Sequence, residues 1–132
     1  MYFIDTNVII DAIRGTSPSI TAHFKECDAS DIALFTIVVA ELEYGARHSD
    51  NYEKRKNQYL EFIAPYSLIP FTEYEAVIYG KIRQQLAADG KIIGSNDMLI
   101  AAVAMSYAAT IVTHNTDEFS RVNGLNIEDW RD

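Results

Sequence analysis

A chain of 132 residues fits one domain, and a domain of this size can bury on the order of two-thirds of the surface its unfolded form exposes, so its core needs no staples. With 48% hydrophobic and 23% charged residues, it falls outside the disordered and collagen-like classes. The net charge of −8, from 11 basic and 19 acidic residues, argues against nucleic-acid binding through a broad basic face and suits a basic protein partner.

Tyr2-Phe3-Ile4 is a short apolar run bounded by the polar Asp5-Thr6-Asn7, which reads as a buried strand. No basic or long apolar leader precedes Asp5, and the lone Cys27 has no intramolecular partner, so a reducing, cytoplasmic setting is expected. The polar triplet caps a predicted helix from about Val8 to Arg14, stopped by Gly15 and Pro18. A second helix, Ser19 to about Asp28, carries Ile20, Phe24 and Cys27 on one stripe. Ile32 to Phe35 is the next strand, after which Thr36 caps a helix through about His48.

Residues 50–64 form a charged amphipathic helix whose apolar side is Tyr52, Tyr59, Phe62 and Ile63. Ser67 to Phe71 is a short strand that Pro70 places at an edge or a strand end. Thr72 caps a helix to about Ala88, closed by Asp89-Gly90, and Ser95-Asn96 cap another to about Ala108. The longest apolar stretch, Met98 to Ala104, is far shorter than the roughly 20 residues of a membrane span. Thr110 to Thr113 is a strand, Thr116 to Phe119 a helical turn, and Gly124 to Ile127 a last short strand. Strands alternating with helices imply an α/β class with a mostly parallel sheet covered on both faces, in one domain over residues 1–132.

In a parallel sheet the functional crevice lies beyond the carboxyl ends of the strands. Three polar clusters fall there: Asp5-Thr6-Asn7, Thr36 leading toward Glu41, and Thr113-His114-Asn115. An Asp after a strand commonly only caps the next helix, but Thr6 and Asn7 can also cap, which leaves Asp5 free for another task. Glu41 follows Ile37 and Val38 at helical spacing and so sits on an apolar stripe, where a carboxylate is costly unless it is paired, with Arg47 for example, or bound to metal. Glu43 points elsewhere and reads as a solvated charge. Asp97 begins a helix whose stripe is otherwise apolar; the run Ala101, Ala102 and Ala104 lets that helix pack closely and carry Asp97 toward Asp5.

Asn115, Asp117 and Glu118 are oxygen donors, any one of which can complete the set. Oxygen ligands without a Cys or His cluster favour Mg²⁺ or Mn²⁺, with His114 a loop residue or a substrate contact. Nucleophilic triads and Gly-rich phosphate loops are missing, so the chemistry such a pocket supports is in-line attack of a metal-activated water on a phosphodiester.

Across essentially the whole chain these motifs resemble the PIN-domain ribonucleases, specifically the VapC-type toxins. The resemblance rests on Asp5-Thr6-Asn7, Ala40-Glu41-Leu42 with Tyr44-Gly45, and Ile93-Gly94 followed by Asp97 and Ile100-Ala101-Ala102. Thr113-His114-Asn115-Thr116 with Glu118-Phe119, then Gly124-Leu125 with Glu128-Asp129-Trp130, complete it in order and spacing. It implies a three-layer α/β/α fold with a mostly parallel five-stranded sheet and a Mg²⁺ or Mn²⁺ site. It further implies the toxin role of a type II toxin–antitoxin system, site-specific cleavage of structured RNA such as tRNA, a VapB-like antitoxin and a homodimer. By matching position Asp5, Glu41 and Asp97 are the core acids, with Thr6, Asn7 and Thr113 in support. Where many relatives carry Asp this chain has Asn115, and Glu118, or less directly Asp117, takes that role. Arg14, Arg47, Arg83, Lys81 and Lys91 are then rim candidates for RNA phosphate.

Two other classes compete. A phosphoacceptor receiver domain needs neighbouring acids after its first strand and a Lys after a late one, where this chain has Asp5-Thr6-Asn7 and Thr113-His114. A PIN-like binding module without catalysis would tolerate Asn115 but has no need of three retained acids.

Overall fold

Short apolar runs rich in β-branched and aromatic side chains supply the strands, and the polar residues after each run turn the chain into a helix. The computed structural model describes all 132 residues. In chain order the elements are β1 (Tyr2–Ile4), α1 (Thr6–Arg14), α2 (Pro18–Glu26), β2 (Ile32–Phe35), α3 (Thr36–Arg47), α4 (Tyr52–Ile63) and β3 (Ser67–Ile69). They continue with α5 (Glu73–Ala88), α6 (Ser95–Ser106), β4 (Thr110–Val112), α7 (Thr116–Phe119) and β5 (Asn126–Glu128).

The sheet has the order β3-β2-β1-β4-β5 and every neighbouring pair is parallel, so the expected mostly parallel sheet is parallel throughout. β1 is the central strand: Phe3 lies opposite Ala33 of β2 and Ile111 of β4. Parallel direction brings the carboxyl ends of β1, β2 and β4 to one edge, and the chain leaves them through Asp5, Thr36 and Thr113. β3 lies at a sheet edge with Pro70 directly after it, where a missing N–H leaves no ladder bond unmade. One cluster of 29 buried apolar residues fills the interior. Trp130 is part of it, stacked on the His23 ring at 4.8 Å and capped by its indole N–H donating to Glu128.

Several helix starts differ from the sequence expectation. Asp5 is itself the N-cap of α1, its Oδ1 accepting from the Thr6 N–H, and Thr6 is already helical. Pro18 opens α2 at its first position behind the Ser17 cap, where its absent N–H and fixed φ suit a helix start. Thr36 and Ser95-Asn96 do not cap: Phe35 and Gly94 occupy those positions without side-chain bonds, and Thr36 and Ser95 are first-turn residues. The helix expected to reach Ala108 ends at Ser106, and Ala108 takes a left-handed φ of 50°. The last strand sits slightly later than expected, at Asn126–Glu128. Nor does α6 carry one apolar stripe: Met98 and Ile100 through Ala104 are all buried, so the helix is enclosed nearly all round, against α5, α3 and β4.

Glu43 is the largest departure. Rather than a free surface charge it is the hub that fastens α3 to α4. Its Oε2 accepts from Arg47 Nε at 2.8 Å and Tyr52 OH at 2.9 Å, and its Oε1 accepts from Lys56 Nζ at 2.6 Å and from the Tyr59 hydroxyl. These donors hold the Glu43 carboxyl far below the usual carboxylate range, Lys56 contributing most.

Candidate metal centre

At the carboxyl edge of the sheet, a cavity of about 360 Å³ is lined by Asp5, Thr6, Asn7, Glu41, Asp97, His114 and Asn115, with no apolar residue among them. Three helices and one loop deliver these groups. Asp5 ends β1 and is 7% exposed; its Oδ2 accepts from the wholly buried Thr113 hydroxyl at 2.8 Å while Oδ1 is held by the Thr6 amide. The carboxylate therefore caps α1 and lines the cavity at once.

The Thr113 hydroxyl also accepts from the Asn115 N–H at 2.9 Å, which fixes the turn after β4. From that turn Asn115 Nδ2 donates to Asp97 Oδ2 at 3.1 Å. Thr6 Oγ1 donates to Glu41 Oε1 at 3.0 Å, joining the first turn of α1 to the second turn of α3. Arg47 is occupied by Glu43 and does not pair with Glu41.

Each acid is thus aimed by a neutral hydrogen-bond donor, and none has a cation. The electrostatics follow. Burial, and then the carboxylates of Asp5, Glu118 and Glu41, push the Asp97 carboxyl up to about 7. Burial also raises Glu41, against the Thr6 hydroxyl that favours its charged form, with Asp5 adding repulsion.

Of the fourth-position candidates, Asn115 lines the cavity and Glu118 approaches Asp97 from α7 without forming the cavity wall. Asp117 is exposed and does not line the cavity. Asn7 is exposed at the mouth. Arg14 is exposed in the last turn of α1, Arg83 donates to Tyr79 on its own helix at 2.9 Å, and Lys81 and Lys91 are exposed; none of these four reaches the acidic cavity.

One pairing had no signal in the sequence. His114, in the cavity wall, is hydrogen-bonded to Asp11 of α1 through Nε2 at 2.7 Å, and its buried Nδ1 lies 3.9 Å from Asp129 without a hydrogen bond. Arg131 binds both Asp129 and the His114 carbonyl. The chain after β5 thereby braces the turn that carries Asn115, while the two ring nitrogens of His114 face Asp11 and Asp129. With three carboxylates and no cysteine in the cavity wall, the residues present fit a hard divalent cation such as Mg²⁺ or Mn²⁺. No three His, Cys, Asp or Glu side chains are close enough to hold an ion as they stand.

Residues 2–125 match the PIN domain family. The chain is 35% identical over 131 residues to Ribonuclease VapC2 of Rickettsia felis, covering 98% of each. It is 33% identical over 129 residues to the tRNA(fMet)-specific endonuclease VapC of Shigella flexneri, covering 98% of this chain and 97% of that one. Its fold matches, with a TM-score of 0.90 and 35% identity over 98% of both chains, one chain of the crystal structure of VapBC2 from Rickettsia felis bound to a DNA fragment from their promoter. With the five-stranded parallel sheet and three acids at its carboxyl edge already in place, these matches show that the chain belongs to the PIN-domain family, among its VapC ribonucleases.

Proposed function

We propose that this chain is the toxin of a type II toxin–antitoxin pair, a cytoplasmic single-domain endoribonuclease that depends on Mg²⁺ or Mn²⁺ and cuts structured RNA, tRNA being the substrate class. A VapB-like antitoxin restrains it, and it works as a homodimer. The relatives named above, a ribonuclease, a tRNA-specific endonuclease and a member of a VapBC complex, support this reading. The observation that carries it is the gathering of Asp5, Glu41 and Asp97 on one polar cavity without a compensating Lys or Arg, strained enough to push Asp97 to about 7. Unpaired carboxylates facing one space are costly for a fold and useful to a cation.

Asp5, Glu41 and Asp97 would hold the ion, with Glu118 joining through Asp97; when bound, it supplies an activated water and polarises the scissile phosphate. The rest falls to the chain itself. Thr113 and the Thr6 amide fix both oxygens of Asp5, the Thr6 hydroxyl orients Glu41, and Asn115 orients Asp97. Asn115 also presents a neutral amide where another carboxylate would add repulsion.

The test is cleavage of total cellular RNA by the purified chain with and without Mg²⁺ or Mn²⁺, with Asp5→Asn prepared in parallel to exclude a contaminating nuclease. Discrete metal-dependent products that the variant does not make are expected. Equal cleavage by the variant, or none with either metal, overturns the reading.

A further inference from the structure

We propose that the groove beside the acidic cavity, between α1, α3 and α4, is the track for the single-stranded RNA that flanks the scissile phosphodiester, with Arg14, Lys54 and Arg55 binding its phosphates. The groove encloses about 560 Å³ and shares Glu41 with the cavity, so whatever lies along it runs into the acids. In a chain of net charge −8 its walls are net positive: Arg14, Lys54 and Arg55 are exposed there without a carboxylate partner, against the two acids Glu41 and Asp50, and of the three cations only Arg55 has a side-chain contact, to Gln58. Other cations nearby are spent, Arg47 and Lys56 on Glu43 and Arg131 on Asp129.

Between the basic walls lie the half-buried Ile10 and Ile13, an apolar surface against which bases can rest while phosphates meet the rim. Gly45 adds a second observation. It stands inside α3 and in the groove wall, where an added Cβ would meet nothing within 4 Å. A helix-interior glycine with free space beside it weakens the helix and leaves the wall flat for close approach. With Arg14, Lys54 and Arg55 against Glu41 and Asp50 the walls are net positive, and since Glu41 lies at the cavity end the exposed cations favour a polyanion, RNA, over a basic peptide.

The proposal rests on the ribonuclease reading for its substrate, and its test separates the two. A fluorescein-labelled single-stranded RNA of mixed sequence is titrated, by anisotropy over a range of salt, against the full chain in an Asp97→Asn background that does not cut. The same titration is made with Arg14→Ala, Lys54→Ala and Arg55→Ala combined, and with a control of exposed cations outside the groove, Lys25→Ala with Arg121→Ala. Three lost phosphate contacts should lower the log–log salt slope by about 2, at about 0.7 per contact on a single strand, with at least a tenfold loss of affinity at low salt. The control should retain the slope. Gly45→Trp, which fills the groove without changing charge, should weaken binding comparably while its thermal midpoint holds.

Equal losses from the groove and control sets, or unchanged binding by Gly45→Trp, overturn the groove. Binding of a basic amphipathic peptide there with no RNA binding overturns it in favour of a protein occupant. Cleavage by the chain with Asp97 intact is read beside these titrations. Groove-dependent binding without cleavage would leave the track standing and remove the nuclease; cleavage indifferent to the groove set would do the reverse.

Discussion

Thr113 and Asp97 carry the sharpest consequences of single atoms in this site. The Thr113 hydroxyl is wholly buried and donates to Asp5 Oδ2, so Thr113→Val keeps the volume while freeing one oxygen of the central acid. Cleavage should fall by about 10- to 100-fold, the usual cost of removing a partner that orients a metal-binding side chain, and Thr113→Ser should restore most of it. Asp97 acts on stability in the opposite sense. Its carboxyl is raised to about 7 in the fold, so between the ordinary carboxylate value and 7 the folded chain holds a proton that the unfolded chain has lost. Stability therefore falls as pH rises through that window, and the loss is complete above 7. Asp97→Asn removes it. Once the solvent screening of a half-buried group is discounted, the gain is on the order of 1 kcal/mol, which is about 3–5 °C in midpoint for a chain of this size. Thermal melts at pH 8 should show an inactive variant that is more stable than its parent; equal melts at pH 8 would refute the mutual repulsion of the acids.

At the scale of elements, α3 is held by Glu43 and opened by Gly45. The carboxyl of Glu43 lies far below its ordinary value, so its contribution is present above that value and is lost as pH falls toward the folded one. Glu43→Gln should melt earlier than the parent at neutral pH, with the difference closing on acidification. Gly45→Ala, placed where a Cβ meets open space, should gain about 0.5–1 kcal/mol in denaturant unfolding. The same helix shows how far the sequence could be read. Glu41 was legible because its spacing from Ile37 and Val38 put an acid on an apolar stripe. Glu43 was misread as solvated, since its partners Lys56 and Tyr59 lie 13 and 16 residues away on α4 and only helix packing joins them. Strands and their polar exits were legible from β-branched runs. Caps at Thr36 and Ser95 were not, because side-chain propensity does not tell which residue begins the hydrogen-bonded turn. Lys54 and Arg55 gave no signal at all: in sequence they belong to a charged helix, and the fold alone sets them against α1.

Across the whole molecule, excess acid and cation binding are one balance. A chain of net charge −8 whose acids face one cavity is stabilised by any cation that binds the folded form and not the unfolded one. Mg²⁺ at 100 times its dissociation constant should add about 2.7 kcal/mol, seen as a rise in thermal midpoint that a chelator reverses and that Asp97→Asn abolishes. A rise of equal size in the variant would place the ion elsewhere.

The central strand has a further consequence in time. β1 is made from residues 2–4, yet one of its two flanks is residues 110–112, and Asp5 receives its Thr113 hydrogen bond across 108 positions of chain. While the ribosome elongates, the first acid is in hand almost at once and its neighbours are not. Until residues 110–115 have emerged, β1 is a half-paired ribbon, Asp5 swings on one bond and Asp97 has no Asn115. A fragment ending before β4 thus has neither the second strand beside β1 nor the donors that hold Asp5 and Asp97, and the cavity is assembled only once residues 110–115 have joined the sheet.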